Sequence, residues 1–210
     1  MKNTIDELFQ DNSIVNKIKS KLPYLFQLAE VDNSRDGKLG MEIGSARERI
    51  IIALLIYQFG EGNVKTDNAI TQSETDVILF DKPISIKTIT GKKVLGVKLI
   101  WTVDPQKALE FSNNYKPNCD LILIQINWNG LGNLYFFPKA VQIEILNKIG
   151  KDKYIKLPKQ GTNPRGVELS QTAIELLAHH HGTKKIGIFW DRKEIDYNPY
   201  DRWVDHWNND

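Results

Sequence analysis

The 210-residue sequence lacks the features that mark secreted and membrane proteins. It has a single cysteine, Cys119, so no disulfide can form within the chain. No uninterrupted apolar run approaches the roughly 20 residues that a membrane-spanning helix needs. The charged stretch from Met1 to Glu7 lacks the central apolar block of a secretory signal peptide. We therefore expect a cytoplasmic protein that does not enter a membrane.

The sequence also lacks internal repeats, a glycine-rich phosphate loop and the nucleophile elbow of hydrolases. No motif therefore supports an enzyme that acts on a small phosphorylated substrate. Hydrophobic residues make up 41% of the chain and charged residues 26%, which is ordinary for a folded globular protein. The formal net charge is only +2. A chain with an acidic catalytic site and one basic face has such a balance, so the charge does not exclude a nucleic-acid partner.

Helix and strand patterns that alternate along the chain predict an α/β protein. Apolar residues at helical spacing occur at 5–30, where Pro23 is expected to begin a second helix, and again from Met41 to Phe59. The remaining elements are expected as strands at 76–80, 84–89 and 94–103, a helix at 104–113, strands at 121–128 and 134–137, a helix at 138–149, a strand near 154–157, a helix at 170–180 and a strand at 185–190. Together they predict one central mixed β-sheet flanked by helices.

The segment from Glu74 to Thr88 has the pattern that says most about chemistry. It reads as a β-hairpin around the turn 81–83, with Asp76 at the start of one strand and Lys87 on the other. Antiparallel pairing brings these two side chains together, and the apolar residues between them hold the register. An aspartate that can hold a hard divalent cation, beside a lysine that can hold or deprotonate a water, is what phosphodiester hydrolysis requires.

This arrangement resembles the PD-(D/E)XK nuclease superfamily. Its signature is a strand-borne aspartate, a spacer, and an acid-X-Lys tripeptide on the next strand. Here the aspartate is Asp76 and the tripeptide is Ser85-Ile86-Lys87. The resemblance covers about Met41 to Trp128 and includes the order of elements, with a buried helix before the hairpin and a helix and a strand after its third strand.

The resemblance implies a type II restriction endonuclease that uses Mg²⁺ to cut double-stranded DNA at a short palindromic site and leaves 5′-phosphate ends. It also implies a homodimer, because a two-fold symmetric protein matches a palindrome. A single endonuclease domain is expected over residues 1–210. It would have N-terminal helices at 5–60, a catalytic core at about 41–150 and a DNA-recognition region at about 151–210.

The chain departs from the family pattern at two positions. Thr75 replaces the usual proline before the aspartate, and Ser85 stands where the tripeptide has an acid. Some restriction enzymes of this superfamily share the second change and draw the missing carboxylate from elsewhere in the fold. The candidates are Glu48, Glu42, Glu74 and Asp104. We favour Glu48, because it lies on a helix predicted to be buried, where a carboxylate needs a partner such as a metal ion.

The resemblance also implies a division of roles within the site. Asp76 and the backbone carbonyl of Ile86 would bind Mg²⁺, and Glu48 would complete the site directly or through water. Lys87 would orient the attacking water and stabilise the pentacovalent state. Asp76, Lys87, Glu48 and Ser85 are therefore the expected catalytic set. The alternative is an ordinary hairpin in which Ser85 is a plain strand residue and Lys87 extends into solvent.

Two segments carry side chains suited to DNA. Residues 156–166 combine lysines for phosphates with arginine, glutamine and asparagine, which can pair with base edges; a plain solvated loop is the alternative. In the loop at 34–41, Met41 either enters a base step or makes a hydrophobic cap contact, and Ser45 in the following helix permits close approach. The expected DNA-binding residues are Lys38, Met41, Ser45, Lys159, Gln160, Thr162, Asn163 and Arg165.

Two other functions fit these residues. One is a repair or recombination nuclease of the same fold that cuts by DNA structure, and the other is a catalytically inactive DNA-binding module, since Ser85 replaces an acid. The run His179-His180-His181 is not expected to bind a metal, because consecutive helical residues point in different directions. The aromatic tail from Tyr197 to Trp207 is expected to pack on the body of the protein or on a second subunit.

Overall fold

The computed structural model of the chain describes residues 4–35, 38–40, 42–66, 74–158 and 166–208. The helices are α1 (Glu7–Gln10), α2 (Asn12–Asp32), α3 (Ile43–Phe59), α4 (Pro105–Asn114), α5 (Lys139–Ile149), α6 (Lys151–Tyr154), α7 (Gln171–His179) and α8 (Asp201–Asn208). The strands are β1 (Ser34–Arg35), β2 (Lys38–Leu39), β3 (Val64–Lys65), β4 (Val77–Leu79), β5 (Lys82–Thr90), β6 (Gly96–Ile100), β7 (Asp120–Ile126), β8 (Leu131–Phe137), β9 (Ile155–Lys156), β10 (Val167–Ser170) and β11 (Lys184–Phe189).

The main sheet of the described chain has six strands in the order β11-β8-β7-β5-β4-β3. Strands β5 and β7 run parallel, whereas the other neighbours pair antiparallel, so the sheet is mixed. A parallel pair needs a long crossover, and here the crossover contains β6 and α4. Helix α4 begins at Pro105, because the carboxylate of Asp104 accepts hydrogen bonds from the backbone N–H groups of Gln106 and Lys107.

Helices cover both faces of the main sheet. On one face Ile84, Ile86 and alternate residues of β7 pack against α1, α2 and α3. On the other face Leu121 and Leu123 pack against α5, α7 and the strands of the smaller sheet. Because both faces are covered, β7 is buried from Leu121 to Ile126 and has an unbroken apolar composition apart from Gln125. This mixed sheet flanked by helices confirms the predicted fold class.

The prediction that Pro23 begins a second helix is wrong. Pro23 lies inside α2, which continues to Asp32. A proline in a helix interior costs about 3 kcal/mol, since it removes one backbone hydrogen bond and crowds the preceding turn. Here Ile18, Leu22 and Phe26 are buried on one face of α2 across the proline, and their packing outweighs that cost.

The prediction of one central sheet is also wrong for the segment 94–103. This segment forms β6, which pairs with β10 in a separate antiparallel sheet of three strands, ordered β6-β10-β9. A strand has only two edges, and those of β5 are taken by β4 and β7. Strand β6 therefore cannot extend the hairpin that precedes it. It pairs instead with β10, a four-residue strand that the sequence pattern did not reveal.

A buried ionic cluster joins α2 and α3 to the main sheet and to the segment after β11. The Glu30 carboxylate is buried and accepts hydrogen bonds from Arg47, from Arg192 and, at 2.9 Å, from the indole N–H of Trp128. Arg47 also donates to the hydroxyl of Thr90 at 3.2 Å, at the end of β5. The cluster therefore holds the first turns of α3 against the end of β5.

Replacing Glu30 by glutamine is expected to lower the free energy of unfolding by about 3–5 kcal/mol, because it leaves a buried charge on Arg47 without its partner. Burial lowers the pKa of Arg47, and Glu30 opposes that effect. Urea unfolding followed by circular dichroism measures the change. The control Glu110→Gln removes an exposed charge from α4 and should stay within about 0.5 kcal/mol of the wild type. A loss under about 1 kcal/mol for Glu30→Gln would contradict the structural role of the cluster.

Candidate active site

The β4–β5 hairpin brings Asp76 and Lys87 together. Val77 pairs with Ile84 and Leu79 with Lys82, and the backbone N–H of Asp76 donates to the carbonyl of Ile84 at 3.0 Å. The turn is formed by residues 80–81, both with positive φ, so it lies one residue earlier than predicted and the next strand already includes residue 83. The alternating apolar residues of both strands are buried on one face, which sets the register.

Three hydrogen bonds converge on the Asp76 carboxylate. Its Oδ2 accepts from the hydroxyl of Ser85 at 3.2 Å, the backbone N–H of Ile86 at 2.6 Å and the ammonium group of Lys87 at 3.0 Å. The side chains of Asp76 and Lys87 are 22% and 21% exposed. They therefore lie on the same side of the sheet, paired and still open to solvent. Since the three contacts fall on Oδ2, the other oxygen is the one placed to bind a cation.

The carbonyl of Ile86 points toward the same place. Within a strand, the N–H and C=O of one residue point to the same side. The N–H of Ile86 is turned toward the β4 side, where it meets the Asp76 side chain instead of a backbone carbonyl. The carbonyl of Ile86 therefore faces the edge of β5 beside the start of β4.

Glu48 lies in the second turn of α3, where the charges of Asp76 and Lys87 both act on it. Burial raises the pKa of Glu48, the negative charge of Asp76 raises it further, and Lys87 lowers it. Two carboxylates in such proximity repel each other, and a cation placed between them relieves the repulsion. Of the predicted catalytic side chains, the structure places Lys87 and Ser85 in hydrogen-bond contact with Asp76, and the charges of Asp76 and Lys87 act on the pKa of Glu48.

The other three candidate carboxylates have different surroundings. Glu42 is exposed at the start of α3 and makes no capping hydrogen bond with its side chain. Asp104 is engaged as the cap of α4. Glu74 is buried, with 8% exposure, and burial raises its pKa to about 7 while Lys87 opposes the rise. Burial of Glu74 next to Lys87 is a feature that the sequence pattern did not indicate.

The side chains at this site are compatible with a divalent cation. Among the described residues, no three or more His, Cys, Asp or Glu side chains are close enough to hold a metal ion. Mg²⁺ typically keeps several waters and is bound by one or two carboxylates together with substrate phosphates. The carboxylates of Asp76 and Glu48 are oxygen ligands of that kind.

Most residues predicted to contact DNA fall outside the described parts of the chain. Ser45 is exposed on the first turn of α3. The backbone of Lys38 lies in β2, but its side chain is not among those described. The others lie outside the described residues altogether: Met41, Lys159, Gln160, Thr162, Asn163 and Arg165. Their contacts with DNA stay predictions.

The histidine run and the tail have surroundings of their own. His180 contacts the Glu144 carboxylate at 3.2 Å, at the end of α7. The hydroxyl of Tyr197 donates to Asp32 at 2.7 Å, so the start of the tail contacts the body of the protein at α2. Helix α8 follows, and its large side chains are exposed. Within the described residues, none of the helices has the length and apolar composition to cross a membrane.

Comparison with known proteins shows what class of protein this is. A solved structure of a restriction endonuclease in complex with substrate DNA is 55% identical in sequence to this chain, with a TM-score of 0.92. The match covers 99% of this chain and 100% of the chain in that structure. The protein is thus a type II restriction endonuclease, a site-specific deoxyribonuclease. The family model of restriction endonuclease ThaI matches residues 8–209, and the chain belongs to that family. No curated protein matches the chain. Restriction endonucleases generally use divalent metal ions, as the carboxylates at this site lead one to expect.

Proposed function

We propose that the protein is a PD-(D/E)XK nuclease with a Ser-X-Lys motif that cuts double-stranded DNA at a short palindromic site, using Mg²⁺, as a homodimer. The observation that carries the proposal is the 3.0 Å contact between the Lys87 ammonium and the Asp76 carboxylate, and both charges also act on the pKa of Glu48. Two carboxylates beside an ammonium group are the side chains needed to hold a divalent cation and an attacking water at a phosphodiester.

Each residue of the site has one task. Asp76, Glu48 and the carbonyl of Ile86 would hold Mg²⁺. When bound, the ion would supply Lewis-acid chemistry, which polarises a scissile phosphate and lowers the pKa of a coordinated water. Lys87 orients the attacking water and stabilises the negative charge that develops on the phosphate oxygens. Ser85 donates to Asp76 and so orients its carboxylate. The products carry 5′-phosphate and 3′-hydroxyl ends.

Plasmid digestion tests the proposal. Incubation with MgCl₂ should give discrete fragments whose sequenced ends share one palindromic site, and a chelator should stop the reaction until Mg²⁺ is added in excess. Cleavage only at branched or damaged DNA would favour the structure-specific repair nuclease. Binding to DNA without cleavage, at any divalent cation supplied, would favour the inactive DNA-binding module and contradict the proposal.

The homodimer is tested separately. A two-fold symmetric dimer presents one site to each DNA strand. Sedimentation velocity should give the mass of two chains at the concentrations that cut DNA, alone or on a duplex that carries the cleavage site. One chain per duplex under those conditions would contradict the dimer and leave the proposed chemistry in place.

A further inference from the structure

A small cavity lies beside Lys87. It is lined by Ser85 and Lys87 on β5, by Glu74 before β4, and by side chains from neighbouring elements that include Tyr115 and Gln142. Its volume of about 20 Å³ is enough to hold one water molecule. A side chain longer than serine at position 85 would enter this cavity, so the space is where the acid of an acid-X-Lys tripeptide would lie.

Glu74 places an unsatisfied carboxylate at this cavity. Its Oε1 is buried and has no hydrogen-bond partner among the residues that the structure describes. A buried carboxylate oxygen is costly unless a hydrogen-bond donor or a cation satisfies it. Lys87 lines the same cavity and acts on Glu74 electrostatically. A water in the cavity would give Glu74 a donor and link it to Lys87.

Lys87 needs such a second anion once the site is in use. In the structure, the ammonium group of Lys87 forms an ion pair with Asp76 Oδ2. A divalent cation bound by Asp76 draws electron density from that carboxylate and repels the neighbouring ammonium group. Ser85 is neutral and its hydroxyl donates to Asp76, so it supplies no negative charge to balance the ammonium group. Glu74 is the carboxyl group that lines the cavity shared by Ser85 and Lys87.

We propose that Glu74 takes the place of the acid absent at position 85: through one buried water it holds Lys87 in position while Asp76 binds the cation. Glu74 is thus a positioning residue that acts on Lys87, and this role rests on the proposed nuclease function. Glu74 lies two positions before Asp76 and lines the same cavity as Ser85.

Replacing Glu74 by glutamine tests the role. The single-turnover rate constant of cleavage should fall by about 10–100-fold, as expected for loss of a group that orients a site residue. The KM for DNA, measured at steady state, should be unchanged. Mn²⁺ titrated alone into the protein and followed by electron paramagnetic resonance should bind about tenfold more weakly, because Lys87 then stays on Asp76 and competes with the metal. The melting temperature should be unchanged or higher, since glutamine avoids the burial of a charge. Glu110→Gln is the control, because it makes the same change in charge at an exposed residue. It should match the wild type in all of these measurements.

A relocation variant separates this role from a structural one. The double change Glu74→Ser with Ser85→Glu keeps the composition of the cavity and returns the carboxylate to the tripeptide. It should recover most of the cleavage rate and Mn²⁺ affinity that Glu74→Gln loses. The proposal is overturned by a Glu74→Gln protein with wild-type cleavage and Mn²⁺ binding, or by a folded double variant that recovers neither. If the double variant does not fold, the single variant decides. Asp76→Asn separates a failure of the proposed nuclease site from a failure of this inference. If Asp76→Asn still cuts DNA, the proposed site itself is wrong. If Asp76→Asn does not cut and Glu74→Gln cuts like the wild type, only the role of Glu74 is contradicted.

Discussion

Replacement of Lys87 by alanine is expected to slow single-turnover DNA cleavage by about 10³-fold, as for loss of one preorganised group that stabilises the transition state. The ammonium of Lys87 lies 3.0 Å from Asp76 and is one-fifth exposed, so it can reach both the attacking water and the phosphate. Affinity for DNA, measured by fluorescence anisotropy without divalent cations, should change by less than about tenfold, because only one possible phosphate contact is lost.

The matched control for this change is Lys82→Ala. Lys82 lies on the same strand and is exposed. Its replacement by alanine removes the same charge without altering the site. It should cut DNA at close to the wild-type rate. If Lys87→Ala cuts DNA at a rate within about tenfold of the wild type, Lys87 has no catalytic role, since loss of a general acid–base or electrostatic role lowers the rate by more than that.

Replacement of Asp76 by asparagine is expected to abolish measurable cleavage, with a loss of at least about 10³-fold, because the cation site loses one of its two carboxylates. Mn²⁺ binding, followed by calorimetry, should weaken by at least about tenfold. The asparagine carbonyl can still accept the hydrogen bond from the N–H of Ile86, so the hairpin should remain folded. The pKa of Glu48 should fall, since the negative charge of Asp76 contributes to its elevation.

Asp81→Asn is the control for this second change. Asp81 lies in the turn of the same hairpin, is exposed, and pairs with Lys65 at 2.6 Å. The same chemical change there should leave cleavage and Mn²⁺ binding as in the wild type. Persistence of Mn²⁺ binding in Asp76→Asn would point to a different cation site and contradict the proposed arrangement of Asp76, Ile86 and Glu48.

The parts of the site that lie on one hairpin could be predicted from the sequence. The apolar residues of β4 and β5 alternate with a period of two, so only one register buries all of them. That register brings Asp76 to Lys87 without any information from distant residues. Glu48 was predicted to face the site from the helix before the hairpin, and the charges of Asp76 and Lys87 both act on its pKa. Its role as a metal ligand stays a proposal.

The parts that depend on distant residues could not be predicted. Burial of Glu74 requires Tyr115 and Gln142, which come from the segment after α4 and from α5. The Glu30 cluster joins partners up to 162 residues apart in sequence, and no local pattern links them. Strand β6 looked like the continuation of the hairpin because its own composition is that of a strand. Its place in the second sheet depends on which edges of β5 are already occupied.

Local periodicity and the chemistry of single side chains were enough to determine the class of fold and the pair Asp76–Lys87, because both arise within a few residues of regular strand. Tertiary structure alone decided which sheet β6 joins and which further carboxylates surround Lys87. The physical reason is that burial and charge neutralisation depend on all the elements that meet at one place, and a residue's neighbours in sequence do not specify those elements.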